Sequence, residues 1–115
     1  MNTLPTFPLS TLVPLTGTDS INFELWYTTL RDFLAADNLL MFIEYEFPEP
    51  DWTEDVWLHE CWRRGRAQAK FILSLTIRDP YVRSVLYARG WNSYEPSPKA
   101  VYDLIWDIWG REFAY

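Results

Sequence analysis

The sequence predicts an all-α fold, a compact bundle of about five helices preceded by an extended, proline-containing arm. Three observations predict it. Apolar residues recur at three- and four-residue spacing in successive runs, the pattern of helices that bury one face. Cap residues, prolines at first helical positions and terminal glycines punctuate those runs. Finally, 49% of the 115 residues are hydrophobic, with seven each of Trp, Tyr and Phe, which suits one aromatic core in one domain.

Residues 1–15 form the expected arm and residues 16–115 the helical domain. The arm is uncharged, with Pro5, Pro8 and Pro14 spaced among Leu4, Phe7, Leu9, Leu12, Val13 and Leu15. Proline fixes φ and removes a donor, so this segment should be extended or irregular. It is either a frayed tail or an apolar arm that docks, through Phe7 and Leu9, into a groove on its own or a neighbouring molecule.

Leu15 to Leu34 is the stretch around which the rest is organised. Gly17 permits a positive φ, and Asp19 or Ser20 can cap the first helical turn. Phe23, Trp26, Leu30, Phe33 and Leu34 then share one face of a helix expected over 22–36. Asp37-Asn38 marks a corner before a short apolar segment, 39–43. Glu44, Glu46, Glu49, Asp51, Glu54 and Asp55 follow, interleaved with Pro48 and Pro50. They lack EF-hand spacing and a turning glycine, so they read as a solvated acidic loop leading to a helix N-terminus, where negative charge is favoured.

The third helix should be the longest, 54–75, with Thr53 as N-cap. Leu58, Trp62, Gly65, Ala69 and Ile72 line one face, and Gly65, Ala67 and Ala69 keep the middle thin. A neighbouring helix is expected against that waist, with the helix crossing the centre of the domain. Arg63, Arg64 and Arg66 form its wet side or pair with acids of the loop or of another subunit. Asp79-Pro80 starts a fourth helix that Gly90 ends. Ser97-Pro98 starts the fifth, which runs to about Phe113.

That last helix carries two apolar stripes. Val101, Leu104, Ile105 and Ile108 make one; Tyr102, Trp106, Trp109 and Phe113 make the other, turned by about 100°. A surface helix of a small domain needs one such stripe, so the second is expected to meet another subunit or a downstream lobe. On this reading Trp109→Ala and Trp106→Ala weaken association while leaving helical content intact, and unfolding would assign the rings to the core.

Composition excludes several function classes. The formal charge of −6 disfavours nonspecific nucleic-acid binding. His59-x-Cys61 has no second half for a metal site, and no phosphate loop or zinc-finger spacing occurs. Cys61 lacks a positioned base. The expectation is therefore no enzyme, no cofactor and no metal, in a soluble cytoplasmic protein whose single Cys61 stays reduced. Neither a signal peptide nor a bilayer-spanning run is read.

The opening Leu15-x-Gly17, its short polar turn, Phe23, Trp26 and Leu30-Arg31-x-Phe33-Leu34 resemble the start of the Gag polyprotein of copia-type LTR retrotransposons. Three later pieces are similar to that family in order and spacing. They are Ala67-x-Ala69-x-x-Ile72-x-Ser74-Leu75, Tyr81-Val82-x-x-Val85-Leu86, and the run from Ala100 to Trp109, where Tyr102 replaces a common Trp and the alanine stands one position nearer. The resemblance spans Leu15 to Gly110. It implies the N-terminal capsid region of a Gag or a host-domesticated relative: an all-helical, self-assembling unit of virus-like particles. Its homo-oligomers are expected to form through the terminal helix, by its second stripe, and through the apolar arm. The family's second lobe and Cys-Cys-His-Cys knuckle have no counterpart in this sequence, so RNA binding is not expected of this segment. The alternative is a monomeric module that grips a peptide or helix in an aromatic groove.

Overall fold

Asp19, in extended backbone, accepts the Asn22 N–H at 2.7 Å and so opens the first helix, α1 (Ser20–Ala36). The structure is a computed structural model in which residues 8–113 are described, and all regular structure among them is helical. After α1 come a single turn, α2 (Met41–Glu44), the long α3 (Val56–Leu75), α4 (Pro80–Ala88) and α5 (Pro98–Ile105). The chain then continues through a π-helical turn (Trp106–Gly110) into a last α-helical turn, α6 (Arg111–Phe113). Among the described residues no helix is long and apolar enough to cross a membrane.

The local start and stop signals work as their chemistry requires. Asp79 accepts from the Tyr81 and Val82 amides ahead of Pro80, and Ser97 accepts from Ala100 ahead of Pro98. The chain leaves α4 through Gly90 at φ +95°, and turns between α1 and α2 at Asn38, whose φ is +60°. The cap of α3 differs from expectation. Thr53 bonds back to Asp51 through both its amide and its hydroxyl, which leaves Asp55 to accept the Leu58 amide at 2.9 Å and start the helix later.

α1 forms one wall of the core. Its Phe23, Trp26, Leu30 and Leu34 pack with Leu15, Ile43, Leu73, Val82, Leu86 and Ile105. Trp26 Nε1 donates to Thr76 Oγ1 at 2.9 Å, and Thr76 Oγ1 donates on to the Leu73 carbonyl at 2.7 Å, so the buried polar atoms are satisfied in series. The same threonine's carbonyl accepts the Leu15 amide at 2.8 Å, tying the arm's inner end to the close of α3.

The arm is accordingly part of the fold where it is described. Leu9–Thr11 is a 3₁₀ turn rather than extended chain, Leu12 packs against the core and Leu15 is fully buried. Asn22 clamps the following turn, accepting from the Thr16 amide at 2.8 Å and donating to the Pro14 carbonyl at 3.0 Å.

α3 does not cross the centre as its length suggests. Its buried residues are Ala69, Ile72 and Leu73, all in its last third. The thin waist has the neighbour its small residues call for: a β-carbon at Gly65 would come within 2.6 Å of the Phe42 ring of α2. Glu46 braces this region, accepting from Arg66 at 3.2 Å and from Ser97 Oγ at 2.7 Å, so one acid of the loop holds both α3 and the start of α5.

The terminal helix corrects the reading of a second, outward stripe. Tyr102 is 7% exposed and Trp109 2% exposed, and Trp106 and Phe113 are half-buried against the core. Val101, Ile105 and Trp109 recur every four residues, a spacing that drifts by about 40° per step on an α-helix. The wider π turn takes up that drift and keeps Trp109 directed inward. Gly110 allows it, because a β-carbon there would fall 2.4 Å from the Trp106 ring.

Candidate interaction surface

Among the described residues, the five of the six expected at an interface do not form one exposed apolar patch. Tyr102 stacks on Trp26 with ring centroids 5.7 Å apart, and Trp106 meets Phe23 at 4.9 Å and Tyr27 at 5.0 Å. Trp109 lies against Gly17, and Phe113 packs near Phe23 at 6.2 Å. Two stripes around one helix are thus covered from two sides, by α1 and by the turn after the arm. Leu9 is exposed on its 3₁₀ turn, and Phe7 lies outside the described residues.

Besides Leu9 and the exposed Ile21 and Leu25 of α1, apolar side chains are exposed at the turn before α3 and along α3 itself. Trp52, Val56, Trp57 and Leu58 are exposed there, and Phe71 is exposed further along the same helix. The local chain explains why. Pro48 and Pro50 keep the preceding loop irregular, and the Asp51–Thr53 turn delays α3, so its first turns extend past the core without a covering element.

Between α3 and α2 this surface sinks into a groove of about 400 Å³, lined by Leu39, Met41, Phe42 and Phe47 on one side and Leu58, Cys61, Trp62 and Gly65 on the other. Phe42 and Phe47 meet edge to face with centroids 6.1 Å apart, and Tyr45 extends the row to Phe47 at 5.9 Å. The rim is charged. His59 Nε2 lies 2.8 Å from Glu49, and Arg66 sits over the Trp62 ring at 5.1 Å.

The outer side of α3 carries Glu60, bonded by Arg63 and, at 3.0 Å, by Arg64. The Arg63 hydrogen bond, with Arg64 adding to it, pulls the Glu60 carboxyl down to about 2. Glu60 is therefore a fixed anion at neutral pH between two exposed cations.

The groove presents mainly apolar side chains. Cys61 is an exposed free thiol, and the histidine two residues before it faces Glu49 instead. No group of three or more His, Cys, Asp or Glu is placed to hold a metal among the described residues. Trp52 at 62% and Trp57 at 75% exposure leave most of two indoles available for apolar burial in an association.

Sequence reasoning missed Trp52, Trp57 and Phe71 because it followed the Leu58-Trp62-Gly65 face and treated the opposite one as wet. The signal was present: a solvated face has no use for Trp57 and Phe71 fourteen residues apart, which is four near-complete turns on the same side. No known family's sequence profile, no curated protein and no solved structure matches this chain.

Proposed function

We propose that this chain is a non-catalytic assembly domain that works by homotypic protein contact, as the resemblance to the copia-type Gag capsid region implies, in a cytoplasmic particle-forming protein. The observation that carries the reading is the apolar first half of α3, where Trp52, Val56, Trp57 and Leu58 are exposed together. An apolar patch of this kind on a small domain favours association. The proposed contact surface is therefore α3 rather than the terminal helix, where Tyr102 and Trp109 are buried and Trp106 and Phe113 half-buried.

Light scattering at rising concentration tests it. The mass of the native chain should climb with concentration, and Trp57→Ser should suppress the climb while the far-ultraviolet spectrum stays helical, since Trp57 holds no core position. A native chain that stays monomeric overturns the reading.

A second reading is favoured by the groove between α2 and α3, whose paired rings suit an apolar helix or peptide from another protein. A monomer that nevertheless binds an amphipathic helical peptide, and loses it on Leu58→Asp, would support that module instead.

A further inference from the structure

Trp57, Glu60, Arg64 and Ala67 lie along one stripe of α3, because steps of three, four and three return to the same side of a helix. The stripe points away from Ala69, Ile72 and Leu73, by which α3 joins the core. Trp57 is 75% exposed, and the Arg64 side chain is 76% exposed.

The order along this stripe is self-complementary about Trp62. Trp57 and Ala67 stand five residues to either side of it, and Glu60 and Arg64 two residues to either side. A second α3 laid antiparallel across the first, with the two-fold axis at the axial level of Trp62, whose ring lies on the opposite face, sets each Trp57 over Ala67 of the other copy and each Glu60 opposite Arg64. Large meets small twice, and anion meets cation twice. Further along the same side of α3, Phe71 is also exposed. A parallel pairing would instead set Trp57 on Trp57 and Arg64 on Arg64.

We infer that two copies of this chain pair antiparallel through the outer stripe of α3, Trp57 packing on Ala67 and Glu60 bonding Arg64 across a two-fold axis. Such an isologous contact uses the same patch on both subunits, which is what a self-complementary pattern provides. Within one protomer Arg64 already reaches Glu60 at 3.0 Å, and Arg63 holds the same carboxylate, so Arg64 can exchange partners without leaving Glu60 unpaired. Val56 to Phe71 spans about 24 Å at 1.5 Å per residue. That is short for an interface of about 1,200–2,000 Å², so the dimer is weak and concentration-dependent.

The inference rests on the homotypic reading and adds its face and register, which a charge swap tests separately. Sedimentation is run on the native chain, on Glu60→Arg, on Arg64→Glu and on an equal mixture of the two variants. Each variant alone brings like charges together twice and should associate about tenfold more weakly. In the mixture one chain is cationic and the other anionic at both positions, so a heterodimer of near-native strength should form. Intrahelical effects cannot restore association on mixing. If the native chain associates but the variants are unaffected, or mixing restores nothing, the antiparallel register is overturned and the homotypic reading stands. If the native chain fails to associate at near-millimolar concentration, both fall. Should a charge variant lose helicity, Ala67→Trp reads the same register: it overfills the seat of Trp57 and should weaken association about tenfold, whereas unchanged association overturns the pairing.

Discussion

Gly17 and Trp109 are in contact so close that a β-carbon on Gly17 would come within 2.9 Å of the indole Nε1. Gly17 also holds a φ of +70°, where a side chain is strained. The turn after the arm therefore closes over Trp109, while Phe23, Trp26 and Tyr27 of α1 cover the other rings of the second stripe.

Gly17→Ala should then destabilise by about 1–3 kcal/mol through backbone strain and displacement of Trp109. Trp109→Ala should cost about 3–5 kcal/mol by leaving a cavity. Urea unfolding followed by circular dichroism measures both. A Trp109→Ala protein that kept native stability would return that ring to the surface.

The legible parts of this fold were the local ones. Asp19, Asp79-Pro80, Ser97-Pro98 and Gly90 act on amides and torsions within a few residues of themselves, so their roles follow from sequence alone. Coverage is not local. Nothing in the last helix announces that Gly17 will lie on Trp109 or that a π turn will redirect it, and nothing in α3 announces that only Ala69, Ile72 and Leu73 will be buried. Counting apolar stripes put the uncovered surface on the last helix, where Tyr102 and Trp109 are buried, and did not point to the exposed residues of α3.

Trp26 and Trp106 should respond to different extents to replacement by phenylalanine. Trp26 Nε1 has Thr76 as its acceptor, so Trp26→Phe should cost about 1–3 kcal/mol with the buried hydroxyl deprived of its donor. Trp106 Nε1 is buried with no acceptor among the described residues. Losing that donor offsets the lost ring volume, and Trp106→Phe should lie within about 1 kcal/mol of native. Paired melting curves check the ranking; equal losses would contradict it.

Ser97 caps α5 and also donates to Glu46, which in turn accepts from Arg66. Ser97→Ala should cost about 1–2 kcal/mol, near the upper range for a helix cap. Hydrogen exchange should quicken at the start of α5 and around Glu46 together. Quickening at α5 alone would mean that the loop is held some other way.

Glu60 provides a pH test. Its carboxyl lies at about 2 in the fold against an ordinary 4.5, chiefly through the Arg63 hydrogen bond. A depressed folded value means that the stabilising contribution is complete above the ordinary carboxylate range and is lost as pH falls through about 2. Carboxyl NMR titration should place Glu60 near 2, and Arg63→Ala should raise it toward 4.5. An unchanged value in that variant would remove Arg63 as the cause.

The proposed contact between subunits lies on α3 and not on the aromatic terminal helix. Amide and indole NMR spectra recorded from dilute to near-millimolar protein test it directly. Concentration-dependent shifts are expected at the Trp52 and Trp57 indoles and along 56–71, with Trp109 unmoved. Shifts centred on 102–113, or spectra that do not change with concentration, would contradict it.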